Sequence, residues 1–137
     1  MILIGCVDER NGMSFEGRRT SQDRIMRDDL RQLFPALSMD AYAYSLFSQD
    51  DVDYCYEICE DLTQCSYPCL VELLPPSQFE PHLEKVVLYQ WHRQYPSTVQ
   101  MDINLHDTMW ECVDIHCFEG SSRDKITRAI FQKKGME

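Results

Sequence analysis

Three groups of residues have types and spacings that can do chemistry. The first is a run of thiols, Cys55-x3-Cys59-x5-Cys65-x3-Cys69, four of the seven cysteines in 137 residues. Thiolates two to four residues apart can share a tetrahedral zinc ion. The gap between these two pairs is short for a zinc ribbon or knuckle, and Val52-Asp53-Tyr54-Cys55-Tyr56 alternates like a strand. The expectation is therefore structural thiols, reduced and metal-free. The odd count agrees, because it suits a reducing compartment better than a disulfide framework. Cys112 and Cys117 fall in another expected strand and read the same way.

The second group is basic. Arg10, Arg18, Arg19, Arg24, Arg27 and Arg31 supply six of the thirteen Lys and Arg residues. Arg18-Arg19 precedes a helix start, where free N–H groups and guanidinium forks both attract an anion. The expected functional surface is Arg18, Arg19, Ser21, Asp23 and Arg24. By contrast, Asp40 to Glu80 holds nine acids and no Lys or Arg, which reads as a solvated face or a surface for a basic partner.

The third group is aromatic and imidazole. His82, His92, His106 and His116 stand singly, and His116 and Cys117 point to opposite faces of one strand. Tyr42, Tyr44, Tyr54, Tyr56 and Trp91 suit either a planar ligand or a core. The chain has no Gly-x-Gly-x-x-Gly, no P-loop and no Gly-x-Ser-x-Gly.

The elements that must position these groups follow from apolar patterning. Ile2 to Val7 is a nearly continuous apolar run, as in a central strand covered on both faces. Asp8 to Gly17 reads as a loop around the Asn11-Gly12 turn. Thr20 or Ser21 is the expected N-cap of a helix over 21–34, with Ile25, Met26, Leu30 and Leu33 on one stripe and Pro35 as its stop. Strands are expected at 36–39, 52–58, 67–74 and 85–91, with a helix at 41–47 and a helical turn or two at 78–83. A closing antiparallel pair, 109–118 and 125–133, surrounds Gly120-Ser121-Ser122. The order predicts one α/β domain over 1–137: a mostly parallel sheet flanked by helices, with an antiparallel hairpin at its C-terminal edge.

Composition bounds the rest. Hydrophobic residues make up 44% of the chain, enough for a core, and the net charge is −10. That charge argues against nucleic acid and against a polybasic membrane anchor. No apolar run approaches the ~20 residues of a bilayer crossing, and Met1-Ile2-Leu3-Ile4 leads at once into Asp8-Glu9 rather than a signal peptide. A cytoplasmic protein is expected.

The order of elements resembles dihydrofolate reductases. The resemblance rests on Met1 to Asp8, the Asn11-Gly12-Met13 loop and the helix opening near Ser21-Gln22-Asp23. It continues through Glu84 to Tyr89, Tyr95-Pro96, Trp110-Glu111 and the final hairpin. It covers nearly the whole chain. A second resemblance is to small uncharacterised bacterial proteins that share Arg18 to Arg24 and the Tyr89-Gln90-Trp91-His92-Arg93-Gln94-Tyr95-Pro96 core. Some of these carry the label ribonuclease Z. That activity needs a His-x-His-x-Asp-His metal motif, which the single histidines do not supply.

The reductase resemblance implies a pterin-binding acid at Asp23, which would accept two hydrogen bonds from an aminopyrimidine-like edge and assist protonation. Asp23 reads equally as a helix cap. The resemblance also implies a phosphate-receiving turn where this chain has Asp40-Ala41-Tyr42-Ala43. It implies a double glycine where this chain has Val71-Glu72-Leu73-Leu74-Pro75. An acid and bulky side chains replace both NADPH signatures, so no cofactor is expected. The chain then reads as a degenerate member of that fold. It would bind a small anionic or heteroaromatic molecule, or a protein partner, near the first helix. A divergent reductase using Asp23 and an acidic interaction module are the alternatives.

Overall fold

The computed structural model describes residues 1–15, 18–19, 23–49, 53–93 and 97–134. The chain runs β1 (Ile2–Val7), β2 (Gly12–Phe15), β3 (Arg18–Arg19), α1 (Arg24–Leu33), β4 (Ala36–Met39), α2 (Ala41–Phe47), β5 (Cys55–Ile58), β6 (Cys69–Leu70), β7 (Lys85–Trp91), β8 (Val99–Gln100), β9 (Trp110–Glu119) and β10 (Lys125–Lys133). Two 3-10 helices, Leu62–Gln64 and Pro76–His82, lie in the connections.

Seven strands form one sheet in the order β5-β4-β6-β1-β7-β10-β9, and β3-β2-β8 form a small second sheet. β1 is the fourth of the seven and pairs in parallel with β6 and β7, so the apolar run at 2–7 is the centre of the sheet. β4 is parallel to both β5 and β6. β10 turns antiparallel between β7 and β9, with a bulge between Ile130 and Phe131. The result is the expected mostly parallel α/β sheet with a closing antiparallel hairpin.

Alternation along the strands feeds two cores. Leu3, Val7, Val86, Leu88 and Phe131 point to one face, where Met13, Leu62, Phe79, Met101, Ile103 and Leu105 cover them. Ile4, Cys6, Val87, Tyr89 and Ile126 point to the other, under Met26 and Leu30 of α1 and Ala43 and Phe47 of α2. α1 stops where it must: Phe34 is extended at φ −129, ψ 142 because Pro35 follows.

Several local expectations are corrected. Of the caps offered by the sequence, Asp23 and not Thr20 or Ser21 caps α1, because its carboxylate reaches the Met26 N–H at 3.0 Å; α1 therefore begins at Arg24. Residues 20–22 lie outside the described residues. Ile25 is 39% exposed, and the buried stripe takes in Arg27 instead, stacked over the Phe47 ring at 5.9 Å. Part of the loop at 8–17 is strand β2, pinned by the left-handed Asn11 at φ 62 and by β8. The strand expected over 52–58 is paired only at Cys55–Ile58, and Val52 lies outside the described residues. The strand expected over 67–74 shrinks to Cys69–Leu70, because prolines bracket it at Pro68 and Pro75. Among the described residues no helix is long and apolar enough to cross a membrane.

Candidate functional site

Four elements meet at the carboxyl ends of the central strands, the usual place for a ligand crevice in an open α/β sheet. β1 runs out into Asp8, which is buried and accepts the N–H groups of Arg10 and Gly12, each at 2.8 Å. β7 runs out toward Arg93, whose carbonyl takes the Glu9 N–H at 2.8 Å and whose guanidinium meets Asp124 at 2.8 Å. α1 opens at Asp23. The β9–β10 turn closes over it from above.

Asp23 is the pivot. One oxygen, Oδ1, accepts the Met26 N–H at 3.0 Å, and Oδ2 accepts Ser121 N–H at 2.8 Å and Ser121 Oγ–H at 3.0 Å. A carboxylate has about four lone-pair positions, so three are engaged by the chain itself. Gly120 fits tightly beside it: a Cβ there would stand 2.5 Å from Asp23 Oδ2. Asp23 thus caps α1 and ties it to the hairpin 98 residues away.

The other expected site residues lie on different elements. Arg18 and Arg19 form β3, paired with Phe15 and Ser14 across the small sheet. Arg24 is the exposed first residue of α1. Ser21 lies outside the described residues, as do Gln94, Tyr95 and Pro96.

The resemblance implies two places for a dinucleotide, at Asp40 to Ala43 and at the 71–75 segment. Asp40 caps α2, its Oδ1 accepting the Ala43 N–H at 2.8 Å. The N-terminal end of α2 therefore carries its own carboxylate. In the 71–75 segment Val71 and Glu72 are buried, while Leu73 and Leu74 project into solvent.

A cleft of about 300 Å³ opens on the face of the sheet opposite α1. Leu88, Met101 and Phe131 line it together with Asn11, Gln90, Asn104 and His106. Asp102 stands among them, so the cleft is an open groove with a mainly polar lining. Sequence patterning missed it because residues 101–106 have no periodic structure; their alternating burial, with Met101, Ile103 and Leu105 inside, is the one available signal.

The thiols separate into three kinds. Cys6 is buried in the core under α1 and α2, Cys55, Cys112 and Cys117 are exposed, and Cys59, Cys65 and Cys69 gather near Glu57.

No protein-family model and no curated protein matches this sequence. Solved structures do match. A dihydrofolate reductase from Enterococcus faecalis, complexed with NADP(H) and RAB-propyl, superposes with a TM-score of 0.65 at 9% identity, over 97% of this chain and 95% of that one. At that identity the likeness is one of architecture: the chain has a dihydrofolate reductase-like fold.

Proposed function

We propose that this chain uses a dihydrofolate reductase-like scaffold for recognition, not for NADPH-dependent reduction. It would take a small anionic or heteroaromatic molecule at the mouth formed by β3 and the start of α1. The carrying observation is the Asp40 cap. A dinucleotide phosphate at α2 would have to approach a carboxylate that already takes the Ala43 N–H. Asp23 supports the same reading. Accepting two hydrogen bonds from an aminopyrimidine edge would require Oδ2 to release Ser121. The basic residues Arg18, Arg19 and Arg24 then supply the attraction in an otherwise acidic chain.

Calorimetry with NADPH, folate, nucleoside phosphates and inorganic phosphate tests this. NADPH is expected to give no heat at micromolar concentrations. An anionic or heteroaromatic member of the panel is expected to bind, and to lose binding in Arg19→Ala with stability changed by no more than about 0.5 kcal/mol. Micromolar NADPH affinity, which is about −8 kcal/mol, would overturn the proposal.

A further inference from the structure

The stretch from Asp40 to Glu80, which has no Lys or Arg, folds so that a carboxylate and three thiols share one place. Register brings them there. Ser38 of β4 stands opposite Glu57 on β5 and opposite Cys69 on β6, so the three side chains form a row on one face of the sheet. Cys59 follows β5 directly, its N–H held by the Met39 carbonyl at 2.9 Å. The 3-10 turn at Leu62–Gln64, anchored by buried Leu62, returns the chain to Cys65. The Glu57 carboxylate and the Sγ atoms of Cys59 and Cys65 lie within 4.8 Å of one another. Cys59 Sγ is 3.3 Å from Glu57 Oε1, and Cys65 Sγ is 3.4 Å from Cys69 Sγ. Thiolates sharing a tetrahedral zinc at 2.3 Å are about 3.8 Å apart; the Glu57–Cys59 and Cys65–Cys69 pairs are already that close, and Cys69 joins the other three through Cys65.

The electrostatics leave room for a cation. Glu57 Oε1 accepts the Ser66 N–H and the Ser38 hydroxyl, each at 2.8 Å, and the Cys59 thiol; no Lys or Arg pairs with it among the described residues.

We propose that Cys59, Cys65, Cys69 and Glu57 form a structural zinc site, with three thiolates and one carboxylate around one Zn²⁺. The ion displaces three thiol protons to solvent, with no change of oxidation state. Cys55 takes no part, because it lies two residues back along β5, about 6.6 Å away. The set escapes a reading by cysteine pairs because its fourth member is a carboxylate and it takes only Cys59 of the first pair. Such an ion would fasten the β5–β6 connection, whose one regular element is a three-residue turn, to the sheet.

The test uses the full chain purified with zinc present. Elemental analysis is expected to find ~1 zinc per chain, removed by chelation. Cys65→Ser is expected to lose it, Glu57→Gln to bind at least about tenfold more weakly, and Cys55→Ser to keep it. Folding defects in the variants are bypassed by alkylation of the wild-type chain. Zinc should protect Cys59 and Cys65, and chelation should expose them while leaving Cys55 reactive throughout. No zinc, zinc retained by Cys65→Ser, equal protection with and without metal, or a Cys65–Cys69 disulfide in the zinc-supplemented protein would each overturn the proposal.

Discussion

Asp29 joins three elements through two oxygens. From α1 it accepts the Tyr89 hydroxyl of β7 at 2.6 Å and Arg128 Nη1 of β10 at 2.9 Å to each oxygen; Arg128 Nη2 goes on to Asp114 of β9 at 3.2 Å. Burial pushes the Tyr89 phenol well above its ordinary value, and the bond to Asp29 adds to this, so it remains a donor at any working pH. A buried hydrogen bond to a charged group contributes about 1.5–3 kcal/mol, and Tyr89→Phe is expected to lose that much in urea unfolding. A loss below about 0.5 kcal/mol would mean that Arg128 holds Asp29 unaided. Gly120 is constrained in another way. Its missing Cβ would lie 2.5 Å from Asp23 Oδ2 and 2.9 Å from Ile126 Cδ1. Gly120→Ala must therefore displace either the α1 cap or a core side chain, for about 1–3 kcal/mol. Amide exchange should speed up at Met26 and Ser121 together, since both N–H groups depend on the same carboxylate.

At the scale of elements, β9 is an edge. It is one of the two outer strands of the seven, ten residues long and largely exposed, with Ile115 at 64% and Val113 at 48%. Edge strands of that length invite pairing with a second chain unless charge guards them. Here Glu111, Asp114 and Glu119 do so, and salt weakens that guard. Light scattering is expected to show association that rises with salt, and Ile115→Lys should suppress it while changing stability by no more than about 0.5 kcal/mol. Unchanged association in that variant would place the contact elsewhere. β9 was legible in the sequence, as were β1, β4, α2, β7 and β10, because each is a sustained apolar or alternating run. The small sheet was not: β3 and β8 have two residues each, too few for any period. The site was legible in part. Asp23 announces itself as the acid at a helix start, but its bond to Ser121 depends on a hairpin folding back over α1, which no local pattern encodes. The Glu57–Ser38–Cys69 row is similar, since it exists only once β4 inserts between β5 and β6.

At the scale of the molecule, we propose that residues 1–137 unfold as one cooperative domain, despite the two cores. The argument is that both cores are built on the same strands. Leu3 and Ile4 are neighbours on β1, and Val86 and Val87 on β7, yet each pair divides between opposite faces. Unfolding either layer would strip one side of strands whose other side is still packed, and their backbone pairing would lose its support. Such an intermediate has little to stabilise it, which favours an all-or-none transition. The −10 charge does not alter this, since it opposes compaction of the whole chain rather than of one layer. The two tryptophans make the claim measurable. Trp110 is 5% exposed in the core with Leu3 and Phe131, and Trp91 is 4% exposed in the core with Ile4 and Tyr89. Each single-tryptophan variant, Trp91→Phe or Trp110→Phe, leaves a fluorophore that reports one face. Each variant's fluorescence transition in urea is expected to coincide with its own far-ultraviolet circular dichroism transition. If fluorescence from Trp110 changed at a lower denaturant concentration than the dichroism of the same variant, the layer under Met101 and Ile103 would be a separate unit and the proposal would fail.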